Sequence, residues 1–268
     1  MPEALCISDI WNYLSIMSAR EGKLDVPALQ HHCIKVAGDY LLPSPALYIA
    51  MSTGNFEVLS YEPGRIVIRK EREGPSPFNH PHVRLYHEYI KSIWRPPRVL
   101  VNVFMPCTQR KPYQRTVTHK MMLHYIDELR RRGIEATLYS ISEPMLVVPY
   151  RLEKYYPLSN YEFPPKLMES WEKKLMIMKL RDLLPRFLRT ALLNVFVLPR
   201  HHASIVLAAL LNNGCDVGCH DRRGNDYGIG DSDDTVEMGE ATLLVRYGRL
   251  AFKSLRKAYL LILEYFRR

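Results

Sequence analysis

RVLVNVFMPCTQRKPYQRTVTHKMMLHYIDELRRRGIEATLYS, residues 98–140, is the stretch on which the fold turns. Its first part, 98–104, is a β-branched run that is apolar at nearly every position. That is the pattern of a strand covered on both faces. A polar loop, 105–115, follows. Thr116 can N-cap a helix running to Arg132, with Gly133 at its C-terminus. Residues 134–140 read as the next strand. Strand, loop, helix and strand at this spacing predict two parallel strands joined by a crossover helix.

Downstream, 165–190 reads as a helix with a kink or break at Pro185. A third strand is expected at 193–198 and a third helix at 201–213, ended by Gly214. Residues 215–219 can form a short strand, and a long basic helix is expected at about 243–267. Upstream, Val83, Tyr86, Ile90, Ile93 and Trp94 fall on one helical face. Before them the Pro- and Gly-rich stretch 73–82, EGPSPFNHPH, reads as a linker. Residues 1–75 read as a small α+β module with helices at 4–19 and 27–40 and a β-hairpin at 56–69. Residues 76–268 read as the α/β domain, a three-layer sandwich with a mainly parallel sheet. In such sheets ligands bind beyond the C-terminal ends of the strands, where the loop at 105–118 lies.

The chain has 268 residues, enough for one α/β domain and a small module. Lys and Arg number 37 against 28 Asp and Glu, a formal charge of +9. That excess favours polyanions such as nucleic acid, although a solvated basic surface gives the same count. Five irregularly spaced cysteines argue against a disulfide framework and for a reducing compartment. The most apolar run, 203–211, is shorter than the roughly 20 residues a membrane span needs. A soluble, cytoplasmic protein without a membrane partner is expected. No repeat or low-complexity tract is seen.

The loop gathers Cys107, Lys111, Tyr113, Thr116, Thr118 and His119. Cys107 is delivered to the sheet rim, near a helix N-terminus and the cations Arg110 and Lys111, which favours its thiolate. His119, about one turn into the helix, can move protons. A nucleophile, a base and a cation together suit covalent catalysis. The plainer alternative is a small buried cysteine beside solvated cations and a packing tyrosine.

The loop also carries a pattern. Pro106 and Cys107, three residues, Lys111-Pro112-Tyr113, two residues, Thr116, two residues and His119 resemble the PC-x3-KPY-x2-S-x2-H motif of the archaeosine synthase family, with Thr in place of Ser. A second block, SEPMLVVPYRLEKYYP at 142–157, is similar to that family's segment after the next strand. It aligns at Pro144, Val148, Pro149, Leu152, Glu153, Tyr156 and Pro157. Leu146 stands where the family tends to have Gly, and Glu143 where it has a small polar residue. The resemblance runs from about His80 to about Ala209. It is to the family's core domain alone, so a stand-alone form without the transglycosylase-like and PUA domains is expected.

The resemblance implies a uracil-DNA-glycosylase-like α/β fold and an archaeal role in tRNA modification. The implied reaction joins free lysine to the nitrile of 7-cyano-7-deazaguanine in tRNA, with no cofactor. It implies catalytic roles for Cys107, which adds to the nitrile as a thioimide, for His119 as proton carrier, and for Lys111 beside the thiolate or a phosphate. Substrate-binding roles fall to Tyr113, stacking on the base, to Thr116, Pro149 and Tyr156, and to Glu153, holding the amine. Partners are then tRNA or a 7-deazaguanine nucleoside, lysine, and a tRNA-handling protein subunit. The alternative is a non-catalytic tRNA-binding module serving a separate enzyme subunit, with Arg130, Arg131, Arg132 and the C-terminal basic residues on phosphates. A nucleobase hydrolase is a weaker reading, because 105–119 holds no carboxylate or Asn to activate water. Cys215, Cys219 and His220, joined by His201 or His202, are weak metal candidates. The acidic run Asp231, Asp233 and Asp234 reads as a solvated loop.

Overall fold

Alternation along the first strand of the quoted stretch puts Val101, Val103 and Met105 on one face and Asn102 and Phe104 on the other. All five are buried, so the strand is covered on both sides. In a computed structural model the described residues are 31–37, 40–211, 235–237, 241–247 and 251–267. The elements are β1 (Cys33–Ala37), β2 (Tyr40–Pro43), α1 (Pro45–Thr53), β3 (Ile68–Arg69), α2 (Pro81–Glu88), β4 (Val99–Pro106), α3 (Val117–Arg131), β5 (Ala136–Ser142), β6 (Leu146–Pro149), β7 (Tyr161–Glu162), α4 (Ser170–Leu188), β8 (Ala191–Pro199), α5 (Arg200–Leu210), β9 (Thr235–Glu237), β10 (Thr242–Tyr247) and α6 (Ala251–Tyr265).

The protein is mixed α/β around a six-stranded sheet of order β6-β5-β4-β8-β10-β9. The inner strands β5, β4, β8 and β10 are parallel, while β6 and β9 pair antiparallel at the two edges. One face buries Val101, Val103, Val195, Val197 and Val245 under Met122, Ile126 and Leu129 of α3 and Leu255, Ala258 and Ile262 of α6. The other buries Phe104, Tyr139 and Phe196 under α2, α4 and α5. Phe104 stands in register with both Tyr139 and Phe196, and its ring stacks on theirs at 5.1 and 4.3 Å. Each such ring contributes roughly 2–3 kcal/mol by burial and about 1 kcal/mol by pairing. Leu42, Val58, Ile68 and Phe78 belong to this second core.

Asn102 and Asn194, side by side in register on β4 and β8, explain the polar interruptions of two apolar strands. Asn102 Nδ2 donates to Asn194 Oδ1 (3.0 Å) and to Phe187 O (2.9 Å), and Asn194 Nδ2 donates to Leu188 O (3.1 Å). The last carbonyls of α4 are thereby satisfied.

Several sequence expectations are corrected. Residues 33–37, expected within a helix, form β1, whose register with β2 shifts between Lys35 and Ala37. The expected 56–69 hairpin does not form. Asn55 Oδ1 accepts from Glu57 N (3.1 Å) and starts a 3-10 turn at Phe56–Ser60. Asn160, from far along the chain, donates to Glu62 O and Arg65 O (both 2.9 Å), and β3 pairs in parallel with β7 instead. α4 starts at Ser170 and runs through Pro185 without a break. Its start is set by a capping box between Glu169 and Glu172 and by buried Lys70, whose Nζ lies 2.7 and 3.0 Å from those carboxylates. Residues 243–247, expected in the last helix, belong instead to β10, the fourth parallel strand, paired with β8. The expected helix at 4–19, the strand at 215–219, the Cys215, Cys219 and His220 cluster and the acidic run at 231–234 lie outside the described residues.

The strand–loop–helix–strand unit at 98–140 appears as β4, α3 and β5. Gly133, just past the C-terminus of α3, adopts φ 78°, the left-handed conformation expected of a glycine there. No helix among the described residues is long and apolar enough to cross a membrane.

Candidate functional site

Three adjacent parallel strands end at one place. Cys107 follows β4, and its N–H donates to Ile141 O (2.8 Å), carrying the ladder one residue past the strand. Glu143 follows β5. His201 and His202 occupy the first turn of α5, directly after β8. The Cys107 thiol donates to Glu143 Oε2 at 3.6 Å and lies 3.9 Å from His202 Nε2. His202 Nε2 is 3.2 Å from the same Oε2, and His201 Nε2 is 2.9 Å from Oε1.

Glu143 is fully buried and His202 nearly so, while Cys107 is half-buried. Burial pushes the Glu143 carboxyl up, but His202 and His201 outweigh it and hold the group well below the usual carboxylate range. The N-terminal end of α5 favours the same charge. Burial pulls His202 down, but the Glu143 charge and the contacts with Cys107 and Glu143 raise it to about 10. Glu143 and His202 therefore favour each other's charged form inside the site, beside Cys107.

The residues expected from sequence sort into three groups. Lys111 joins the cluster. It is buried, donates to Thr108 O (3.2 Å) and sits 4.1 Å from the Tyr161 ring centroid. Burial lowers its pKa, and the nearby Cys107, Glu162 and Glu143 offset part of that shift. Tyr113, Thr116 and Glu153 hold the loop in shape. Tyr113 is fully buried, and its hydroxyl meets those of Tyr161 and Ser142. Thr116 occupies the N-cap position of α3, but its hydroxyl donates to Tyr113 O (2.8 Å) instead of capping the helix. Glu153 Oε1 accepts from Gln114 N (3.0 Å), and burial raises its carboxyl to about 7.

His119, Pro149 and Tyr156 make other contacts. Buried His119 bonds to Pro106 O through Nε2 (3.0 Å), and burial lowers it to about 4. It ties α3 to the end of β4. Pro149 ends β6 opposite Tyr139, and the Tyr156 hydroxyl lies 2.6 Å from His82 Nδ1. Arg130 and Arg131 form ion pairs with Asp127 and Glu128 on their own helix.

Sequence reasoning missed the cluster's other half. Glu143 stood out only as a departure from a resembled motif, and His202 only as a distant metal candidate. The available signal was positional. An acidic residue and a His pair each directly follow a strand that ends at the ligand-binding rim.

The fold and the cluster define a class, a mostly parallel α/β protein with Cys, Glu and His gathered at the strand ends. The chain belongs to the DUF5591 family, a domain of unknown function, whose model matches residues 83–222. It is similar to the archaeosine synthase subunit alpha of Thermoplasma acidophilum, with 27% identity over 100 residues, 37% of this chain. The chain covers 19% of that relative's length. The crystal structure of AF0587, a protein of unknown function, aligns with 64% of this chain and 48% of its own at 14% identity and a TM-score of 0.37. That likeness is too distant to assign the fold further.

Proposed function

We propose that this chain is a catalytic core acting in tRNA modification of the archaeosine type, adding lysine to the nitrile of 7-cyano-7-deazaguanine in tRNA. The observation that carries the reading is the meeting of Cys107, from the resembled motif, with Glu143 and His202 at the sheet rim. The similarity to archaeosine synthase subunit alpha and the basic charge support it. A uracil-DNA-glycosylase-like fold and the domain division near residue 75 belong to the same proposal.

A nitrile carbon is electrophilic, and a thiol adds across the triple bond without an outside oxidant or reductant. Cys107 sulfur bonds to the carbon, Glu143 takes the thiol proton, and imidazolium His202 gives a proton to the nitrile nitrogen. The product is a thioimide, and the proton on Glu143 passes to His202 across their 3.2 Å contact, which restores the pair. The neutral ε-amine of lysine then attacks the same carbon, the C–S bond breaks, and the amine's proton returns to sulfur, leaving an amidine. Lys111 supplies positive charge beside the sulfur as it leaves. His202 takes the proton-carrying role expected of His119, and Tyr113 shapes the loop instead of stacking on the base.

The test is adduct formation on tRNA bearing the nitrile base, read by nucleoside mass spectrometry. The wild-type chain should form the lysine adduct, and Cys107→Ala should lose it by at least about 100-fold. Unchanged adduct in Cys107→Ala eliminates the thioimide. Normal archaeosine in a deletion strain removes the pathway assignment. Salt-dependent tRNA binding without any adduct points to the non-catalytic module.

A further inference from the structure

We propose that Cys107, Glu143 and His202 form a three-ligand site for a thiophilic divalent cation, with zinc the best match. Zinc takes sulfur at about 2.3 Å, imidazole nitrogen at about 2.0–2.1 Å and carboxylate oxygen at about 2.0–2.2 Å, in tetrahedral geometry. Those bond lengths place the ligand atoms about 3.6 Å apart for S and N, about 3.6 Å for S and O, and about 3.4 Å for N and O. The corresponding separations here are 3.9, 3.6 and 3.2 Å. All three atoms lie within 4.8 Å of one another. An ion therefore fits among them with shifts of a few tenths of an ångström.

Charge and surroundings agree with that geometry. A thiolate, a carboxylate and a neutral imidazole carry two negative charges, which a divalent ion cancels inside a buried site. The site comes from the ends of three neighbouring strands of one sheet, so the ligands are held before any ion arrives. His201, bonded to Glu143 Oε1, fixes the carboxylate from outside, as supporting residues around metal ligands do. Nδ1 of buried His202 has no hydrogen-bond partner among the described residues, so that ring interacts through the nitrogen facing the cluster. Three protein ligands leave a fourth position. Cys107 and His201, at the edge of the cluster, are partly exposed.

The site stands on this geometry and does not rest on the lysine-transfer reading. If both hold, they compete for one thiolate, and zinc blocks the nitrile addition.

The experiment uses the full chain, stripped with a chelator and reloaded with Zn2+ alone or Co2+ alone. Binding should reach one ion per chain, and the cobalt form should show a thiolate-to-cobalt charge-transfer band. Cys107→Ser should lose that band, and His202→Ala should weaken zinc at least about 100-fold, with folding of each checked by circular dichroism. A Cys215→Ser/Cys219→Ser variant should keep both properties. The proposal is overturned if wild-type chain binds no zinc at micromolar concentration, if the band survives in Cys107→Ser, or if only the Cys215/Cys219 variant loses it. Zinc binding by a chain that, stripped of zinc, forms no adduct removes the functional reading alone, and adduct formation by a chain that binds no zinc removes this one alone.

Discussion

Glu143 and His202 lie 59 residues apart in the chain and 3.2 Å apart in the folded protein. Their charges hold each other in place within a buried environment that opposes both. Glu143 is depressed, so its contribution to stability is full above its ordinary value of 4.5 and is lost as pH falls through the lower folded value. His202 is raised to about 10, so its contribution is full below 6.5 and is lost as pH rises toward 10.

Glu143→Gln removes the charge that sustains the imidazolium. The wild-type melting temperature should carry an alkaline decline from this pair between pH 6.5 and about 10, and the variant should lose it. At about pH 6 the variant should be less stable by roughly 3–5 kcal/mol in urea. Parallel pH profiles for the two proteins would show that the pair is not coupled as described.

Glu153 behaves in the opposite sense. Its carboxyl is raised from 4.5 to about 7, so the folded form binds a proton that the unfolded form has released across that interval. Stability should fall as pH rises through it, by up to about 3 kcal/mol. Glu153→Gln removes the ionisation and can still accept from Gln114 N. The variant should melt higher than wild type at about pH 8 and equally at about pH 4. Equal melting at both pH values would mean that Glu153 is not raised.

His119 is held neutral, lowered from 6.5 to about 4. The unfolded chain takes up a proton in that interval and the folded chain does not, so stability falls on acidification from 6.5 toward 4. His119→Gln keeps a donor for Pro106 O without a titrating ring. It should flatten the acid side of the stability profile, and under the proposed mechanism it should retain lysine adduct formation within about 10-fold. Loss of adduct as complete as in Cys107→Ala would return His119 to the proton-carrying role.

Leu146 opens β6 with φ 67°, a left-handed backbone that costs a non-glycine residue about 1–2 kcal/mol. Its side chain is buried in the core. Truncation to Ala loses that burial and keeps the strain, whereas truncation to Gly loses the burial and relieves it. Leu146→Gly should therefore be more stable than Leu146→Ala by about 1 kcal/mol, the reverse of the usual order. Urea midpoints of the two variants decide it.

Sequence by itself determined the unit from β4 through α3 to β5, because strand and helix periodicities are local and the residues of 98–140 keep to them. It determined that Cys107 ends a buried strand at the rim where such sheets bind ligands, and that Gly133 closes the helix. Only the tertiary structure decided what Cys107 faces. Glu143 and His202 are 36 and 95 residues from it, and they meet it because β5 and β8 flank β4. Strand order is written in hydrogen bonds between distant segments, so no spacing along the chain encodes it. For the same reason residues 243–247, locally apolar and easily read as helix, become a strand only because β8 offers an edge to pair with. The expected hairpin at 56–69 gives way to Asn160 and β7, partners that no local pattern announces.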